Sequence, residues 1–254
     1  MQSTALTPAT SAEWRAYFER NRHELLVIPW DLGSELTVAE RWAVARSVQE
    51  FQRGESSEGR HLHCYARQYA AATGDWDYLR ALELFIAEEQ RHARDLGRFL
   101  TINGIPLVKA TFTDGVFRRL RNLIGTLEVS IAVLITAEII AEVYYAVLQR
   151  ATESRVLRGL CDQILRDERR HVQFQAQQLS RLQSVRGRWP LRVTRLLQRG
   201  LFAGACLVVW LFHRRALLAG GSWFGSFWRD CWTCYARAFD GMEKREIAGK
   251  LLRA

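Results

Sequence analysis

From residue 37 to residue 184 the chain runs as long stretches in which apolar and charged positions alternate at helical spacing, broken by short polar turns. Thr37 followed by Glu40 makes a capping-box pattern and predicts a helix from there to about residue 72, where "ATGD" supplies turn chemistry. A second predicted helix covers "DWDYLRALELFIAEEQRHARDLGRFL" and ends before "NGIP". The third starts near "TDGVFRRL" and continues through "EVSIAVLITAEIIAEVYYAVLQ"; the fourth follows "ATES" and stops before "VRGRWP". A short helix in 11–25 and a loop at "VIPWDLGSE" precede them. Four long helices joined by two short connections and one longer crossover read as a four-helix bundle.

Composition agrees, because only 4 prolines occur and Ala, Leu, Glu and Arg fill the periodic stretches; the expected fold class is all-α. The chain divides into an N-terminal segment (1–36), the bundle (37–184) and a C-terminal, aromatic-rich helical extension (185–254). In the extension, "GLFAGACLVVWLF" and "ALLAGGSWFGSFW" are uncharged runs of 13 residues each, shorter than the roughly 20 needed to span a bilayer. With Trp210, Trp223, Trp228 and Trp232 among arginines, they suit a packed cap on the bundle, the lining of an apolar channel, or a membrane interface. The net charge of +9 favours an acidic partner, but the arginines are spread along the chain without a nucleic-acid-binding motif, so nucleic acid is not expected. Five cysteines without framework spacing suit a reducing compartment, and no basic start followed by an apolar run marks a signal peptide. A cytoplasmic homodimer is the expectation, with peripheral contact to the inner face of the membrane if the interface reading of the extension holds.

Glu89 and His92 lie three residues apart, as do Glu168 and His171, so each pair projects from one helix face at metal-ligand spacing. In an antiparallel hairpin, residues equally far from the turn are level. Glu58 and Glu89 centre on "ATGD", and Glu138 and Glu168 centre on "ATES". Tyr65 follows Glu58 by seven residues and Tyr145 follows Glu138 by seven. The unit Glu-x6-Tyr … acid-Glu-x-Arg-His thus occurs twice, offset by 80 residues at its first glutamate and 79 at its second. Glu58 and His61 form a third Glu-x-x-His, but His61 has no counterpart after Glu138 and reads as a neighbour of the site or a surface residue.

Four carboxylates converging in a bundle core would repel by about 4 kcal/mol per pair at 4 Å and an effective dielectric near 20. Two divalent cations would neutralise them and leave His92 and His171 as neutral nitrogen ligands. One imidazole per metal among carboxylates suits iron or manganese. The expected cofactor is therefore a pair of divalent ions, iron (Fe) or manganese (Mn).

These residues resemble the ferritin-like di-iron carboxylate superfamily, in which two helices each give a glutamate and two each give Glu-x-x-His. The resemblance covers about 37–184. It implies that Glu58, Glu89 and His92 hold one iron and Glu138, Glu168 and His171 the other, with Glu89 and Glu168 as bridges. "EEQRH" and "DERRH" are most similar to the O2-activating members, the acyl-carrier-protein desaturases and bacterial multicomponent monooxygenases. There Glu88 and Asp167 would orient the opposite histidine, with Arg91 and Arg170 balancing their charge. The Tyr65 and Tyr145 spacing resembles ferritins and aldehyde-deformylating oxygenases instead. Where desaturases carry a small hydroxyl residue, this chain has Glu142, which reads as an extra ligand, a proton relay, or a carboxylate facing a neighbouring polar group. Glu55, one turn before Glu58, poses the same question.

The function these features imply is O2-dependent oxidation of a hydrophobic substrate, such as a fatty-acyl chain, fed by an acidic electron donor or acyl carrier. Two other readings stand beside it. One is a ferroxidase or peroxidase, although the lone "CWTC" cannot complete a four-sulfur iron site and ferritin cages lack such an extension. The other is a non-catalytic, membrane-associated helical interaction protein.

Overall fold

The computed structural model describes residues 10–56, 59–109 and 125–251, with side chains through residue 239. All regular structure among them is helical: α1 (Ser11–Asn21), a short 3-10 turn (Trp30–Leu32), α2 (Val38–Glu55), α3 (Arg60–Thr73), α4 (Trp76–Ile102), α5 (Leu127–Arg150), α6 (Arg155–Gln183), α7 (Arg188–Ala219) and α8 (Phe224–Leu251). Thr37 and Glu40 close the expected capping box on α2, and Thr10 and Glu13 make a second on α1. Asp75, Thr126 and Ser154 each accept a backbone N–H of the first turn of α4, α5 and α6, satisfying donors that a helix start leaves open.

The expected helix over 37–72 is two helices. α2 ends at Glu55 and α3 begins at Arg60, with Gly59 between them in the left-handed region at φ 61°. "GESSEG" explains the break, because serines offer the backbone competing hydrogen bonds and glycine alone adopts that φ without strain. The expected start of the third helix near 113 lies outside the described residues; the described helix there begins at Leu127.

α2 and α3 pack on α4, α4 on α6, α6 on α5, and α5 back on α3, which closes a four-membered bundle. α1 lies along α4, and its Trp14 and Phe18 are fully buried against Phe85 and Phe174. Each of those aromatic side chains contributes roughly 2 to 3 kcal/mol by leaving water. α7 packs on α2 and α5, and α8 on α5 and α6, so the C-terminal hairpin shares the core through Phe202, Cys206, Phe227 and Cys231. All five cysteines are free.

The first apolar run of the extension is part of the 32-residue α7 and the second is split by the turn at Gly220–Gly221. By length and composition alone α5 and α7 could each cross a membrane, but the apolar window of α5 is 78% buried inside the protein, as expected of a core helix. That of α7 is 39% buried.

Where α7 ends, a Cβ on Gly220 would collide with the Val147 carbonyl group of α5, which is backbone and cannot swing aside. Gly220→Ala should therefore destabilise the protein by about 1–3 kcal/mol in denaturant unfolding. Gly200→Ala, whose Cβ would meet nothing within 4 Å, should not. Equal stability for the two variants would contradict this packing.

α7 also delivers His213 into a buried polar group: Nδ1 lies 2.8 Å from Ser47 Oγ, which is 2.7 Å from Tyr144 OH, and Nε2 lies 3.7 Å from Glu50. Burial lowers the His213 pKa to about 4 from the ordinary 6.5. Because the folded value is depressed, this residue's contribution is complete above pH 6.5 and is lost as pH falls toward 4, by up to about 3 kcal/mol. Unfolding free energy should thus drop across that window in the native chain and drop less in His213→Gln. Parallel profiles would exclude His213 as the titrating group.

Candidate metal centre

Two helical turns supply the heart of the site. On α4, Glu89 and His92 share one face; on α6, Glu168 and His171 do the same, and the two faces meet across the bundle axis. α5 adds Glu138 and the last residue of α2 adds Glu55. The donors fall into two sets, Glu55, Glu89, His92 and Glu168, and Glu89, Glu138, Glu168 and His171, and the donor atoms of each set lie within 4.8 Å of one another. Glu89 and Glu168 belong to both. His171 Nδ1 lies 3.0 Å from Glu89, 3.5 Å from Glu138 and 3.7 Å from Glu168; His92 Nδ1 lies 3.6 Å from Glu89 and 3.7 Å from Glu168.

Both histidines are fixed from behind, each by the acid preceding the opposite helix's glutamate. His92 Nε2 is 3.0 Å from Asp167 Oδ2, and His171 Nε2 is 3.0 Å from Glu88 Oε2. With each of these carboxylates accepting, each Nε2 carries the proton and each Nδ1 turns inward. Asn21 Nδ2 ties the two acids together, donating to Glu88 Oε1 at 2.7 Å and Asp167 Oδ1 at 2.9 Å. Arg91 and Gln163 also donate to Asp167.

The inward atoms have nothing to bond. His92 Nδ1, His171 Nδ1, Glu89 Oε1, Glu138 Oε1 and Glu168 Oε2 are all buried without a hydrogen-bond partner, and even the 3.0 Å approach of His171 to Glu89 lacks hydrogen-bond alignment. A buried unsatisfied polar atom costs about 1–3 kcal/mol, so five facing one another are unstable as neutral spectators. Metal ions would satisfy all five, and the donor chemistry, carboxylate oxygens with one imidazole nitrogen per set, fits iron or manganese.

Without cations the cluster must hold protons instead. Burial, reinforced by the neighbouring Glu89, pushes Glu55 well above the ordinary carboxylate range. Burial and the Glu138 charge do the same to Glu168 and raise Glu89. Burial opposes the charge on Glu138 and His171, but Glu168 and His171 bring Glu138 below its ordinary value, and Glu138, Glu168, Glu88 and Glu89 raise His171. Asp167, though buried, is held well below the carboxylate range by His92 and Arg91. Metal binding should therefore release protons, and affinity should fall as pH falls. Calorimetry in buffers of different ionisation enthalpy would measure the release; buffer-independent heats would show that the carboxylates were already ionised.

Of the residues expected from the sequence, Glu89, His92, Glu138, Glu168 and His171 converge, with Glu88, Asp167 and Arg91 behind them. Glu58 lies outside the described residues. Glu55 occupies the α2 position in the cluster and accepts a 2.9 Å hydrogen bond from Tyr145 OH. The level-with-the-turn rule holds only for a continuous helix, and α2 ends at Glu55. Tyr65 is half-buried with its hydroxyl against Gly125, so the tyrosines of the repeat do not occupy equivalent places. Arg170 bonds Gln173 and lies over Tyr17, and it is Asn21 that donates to Glu88. Glu142 faces Arg237 at 2.6 Å and Arg169 at 3.4 Å and joins neither donor set. Of its three readings, the geometry is that of a carboxylate meeting polar neighbours. Nothing in the sequence marks Asn21, because an asparagine ending a short helix carries no ligand-like spacing.

No protein-family model matches the chain, and neither curated proteins nor solved structures give a match. Fold and site define the class on their own: an all-helical bundle with a buried carboxylate–histidine cluster able to hold metal, compatible with a ferritin-like fold.

Proposed function

We propose that the protein is a di-iron oxidoreductase that uses O2 to oxidise a hydrophobic substrate. The observation that carries the reading is the sharing of Glu89 and Glu168 by two donor sets, each completed by one inward histidine nitrogen. Glu89, Glu168, His92, His171, Glu55 and Glu138 would hold the two ions, which when bound supply the one-electron chemistry of O2 reduction that side chains cannot. Glu88 and Asp167 keep the histidine protons on Nε2 and so keep Nδ1 free to bind. Tyr145 holds a proton against Glu55 Oε1, and its own pKa is pushed well above the ordinary tyrosine value by burial and by Glu55, so the phenol stays protonated. Phe85 stands edge-on to His171 at 4.7 Å and Phe18 lies 6.2 Å from it, which excludes water on the α1 side. Glu89 keeps 15% of its side chain exposed, and substrate would approach on that side. The apolar wall and the α5 segment from Val129 to Ala137, which has no charged residue, support an apolar substrate such as an acyl chain.

The test is anaerobic loading with ferrous iron, admission of O2, and mass spectrometry of a lipid extract incubated with the protein. The expected result is O2 uptake with an oxidised organic product, both absent in Glu168→Ala. Iron oxidised and stored in excess of the two positions, with no organic product, would replace this reading with a ferroxidase; equal metal content in native protein, Glu138→Ala and His171→Ala would remove the metal centre altogether.

A further inference from the structure

The outer face of α7 is an apolar strip. Trp189, Val193, Leu196, Leu197, Leu207 and Leu211 fall on one side of the helix and are exposed, with Trp189 at 75% and Leu196 at 71%. Gly200 and Gly204 lie between them, and a Cβ on either would meet nothing, so the strip is open along its length. From Trp189 to Leu211 it runs roughly 33 Å. That is long for a solitary surface patch on a soluble monomer.

What borders the strip indicates its partner. α7 contains six arginines (188, 192, 195, 199, 214 and 215) and no acidic residue. Arg188, Arg192, Arg214 and Arg215 are exposed at its two ends; Arg192 lies over Trp189 at 5.4 Å and Arg215 over Trp42 of the adjacent α2 at 4.4 Å. Trp189 and Trp223 stand at opposite ends, both more than 70% exposed. Apolar side chains outward, tryptophans at the ends and arginines whose stems can reach back to headgroups are the features of a helix lying in a membrane interface. A second copy of this chain fits less well. A two-fold interface would set each arginine-only helix against its own image, with like charges and no acid in α7 to meet them. A bilayer rich in anionic phosphates complements both the apolar strip and its arginine borders.

We propose that α7 docks flat on an anionic phospholipid bilayer, held through this strip while its inner face stays packed on α2, α5 and α8. The proposal is independent of the metal reading, because none of these residues belongs to the cluster.

Full-length protein is mixed with vesicles of phosphatidylcholine alone or with a minority of phosphatidylglycerol, and bound protein is separated by flotation. The variants are Leu196→Gln/Leu207→Gln/Leu211→Gln and Arg188→Glu/Arg192→Glu, each checked for unchanged melting temperature and metal content. Expected are binding to the phosphatidylglycerol vesicles that weakens with salt, little binding to phosphatidylcholine, and about a tenfold or greater loss in each variant. Should the leucine variant lose thermal stability, the arginine variant, altered only at exposed positions, decides alone. Failure of the native protein to float with anionic vesicles, or binding unchanged in the variants, would overturn the proposal. So would a native dimer that the leucine variant splits while vesicle binding is absent, which would assign the strip to a second copy.

Discussion

Replacing Glu168 by alanine is expected to empty both metal positions at once, whereas Glu138→Ala should weaken one and leave the other. The difference follows from membership: Glu168 belongs to both donor sets, and Glu138 only to the set of His171. In metal titrations followed by calorimetry, Glu168→Ala should lose more than about a hundredfold in affinity at both steps, beyond the 10–100-fold typical of residues behind a ligand. The same substitution should have the opposite sign on the metal-free protein. Glu168 is buried among Glu89 and Glu138, and burial with those charges holds it protonated and crowded, so its removal relieves the metal-free bundle. Thermal melts of metal-free protein should show Glu168→Ala as stable as the native chain or more so. A large loss of stability there would mean that Glu168 is a structural residue and not a ligand.

The second large effect is expected from Asp167→Ala, a residue that belongs to neither donor set but holds His92 from behind. Asp167 is fully buried and receives hydrogen bonds from Arg91, His92, Gln163 and Asn21. Its removal leaves a nearly buried guanidinium and three polar groups without their acceptor. Stability should fall by about 3–5 kcal/mol with or without metal. His92 also loses the partner that fixes its tautomer, so metal affinity should drop about 10–100-fold on that side. Asp167→Asn keeps the shape and one accepting oxygen, and should fall between. A full-affinity, fully stable Asp167→Ala would refute the outer shell described for His92.

The contrast between these two residues also shows what could be read in the sequence. Glu168 and His171, one turn apart and matched by Glu89 and His92, announce themselves by spacing, because a helix turns a three-residue interval into a shared face. Glu138 follows from hairpin symmetry, which holds because α5 and α6 are continuous around "ATES". The same rule points to Glu58, which lies outside the described residues; Glu55, the last residue of α2, stands in the cluster, and the rule holds only along a continuous helix. Glycines on both sides of paired serines are the sequence feature at the end of α2. Asn21 was out of reach for a different reason: its role depends on α1 docking across α4 and α6, a tertiary event that local spacing does not encode. The exposed strip of α7 is legible only in part, since the uncharged run holds its Leu207 and Leu211 but not Trp189, Val193, Leu196 or Leu197, and does not show which face remains open.

In the proposed centre two metal ions would share Glu89 and Glu168. Crystals of iron-loaded protein measured on either side of the iron absorption edge test this most directly. Two anomalous peaks are expected between α4 and α6, one against His92 Nδ1 and one against His171 Nδ1, with Glu89 and Glu168 contacting both. A cluster without anomalous density at full iron loading, or iron found elsewhere in the protein, would contradict it.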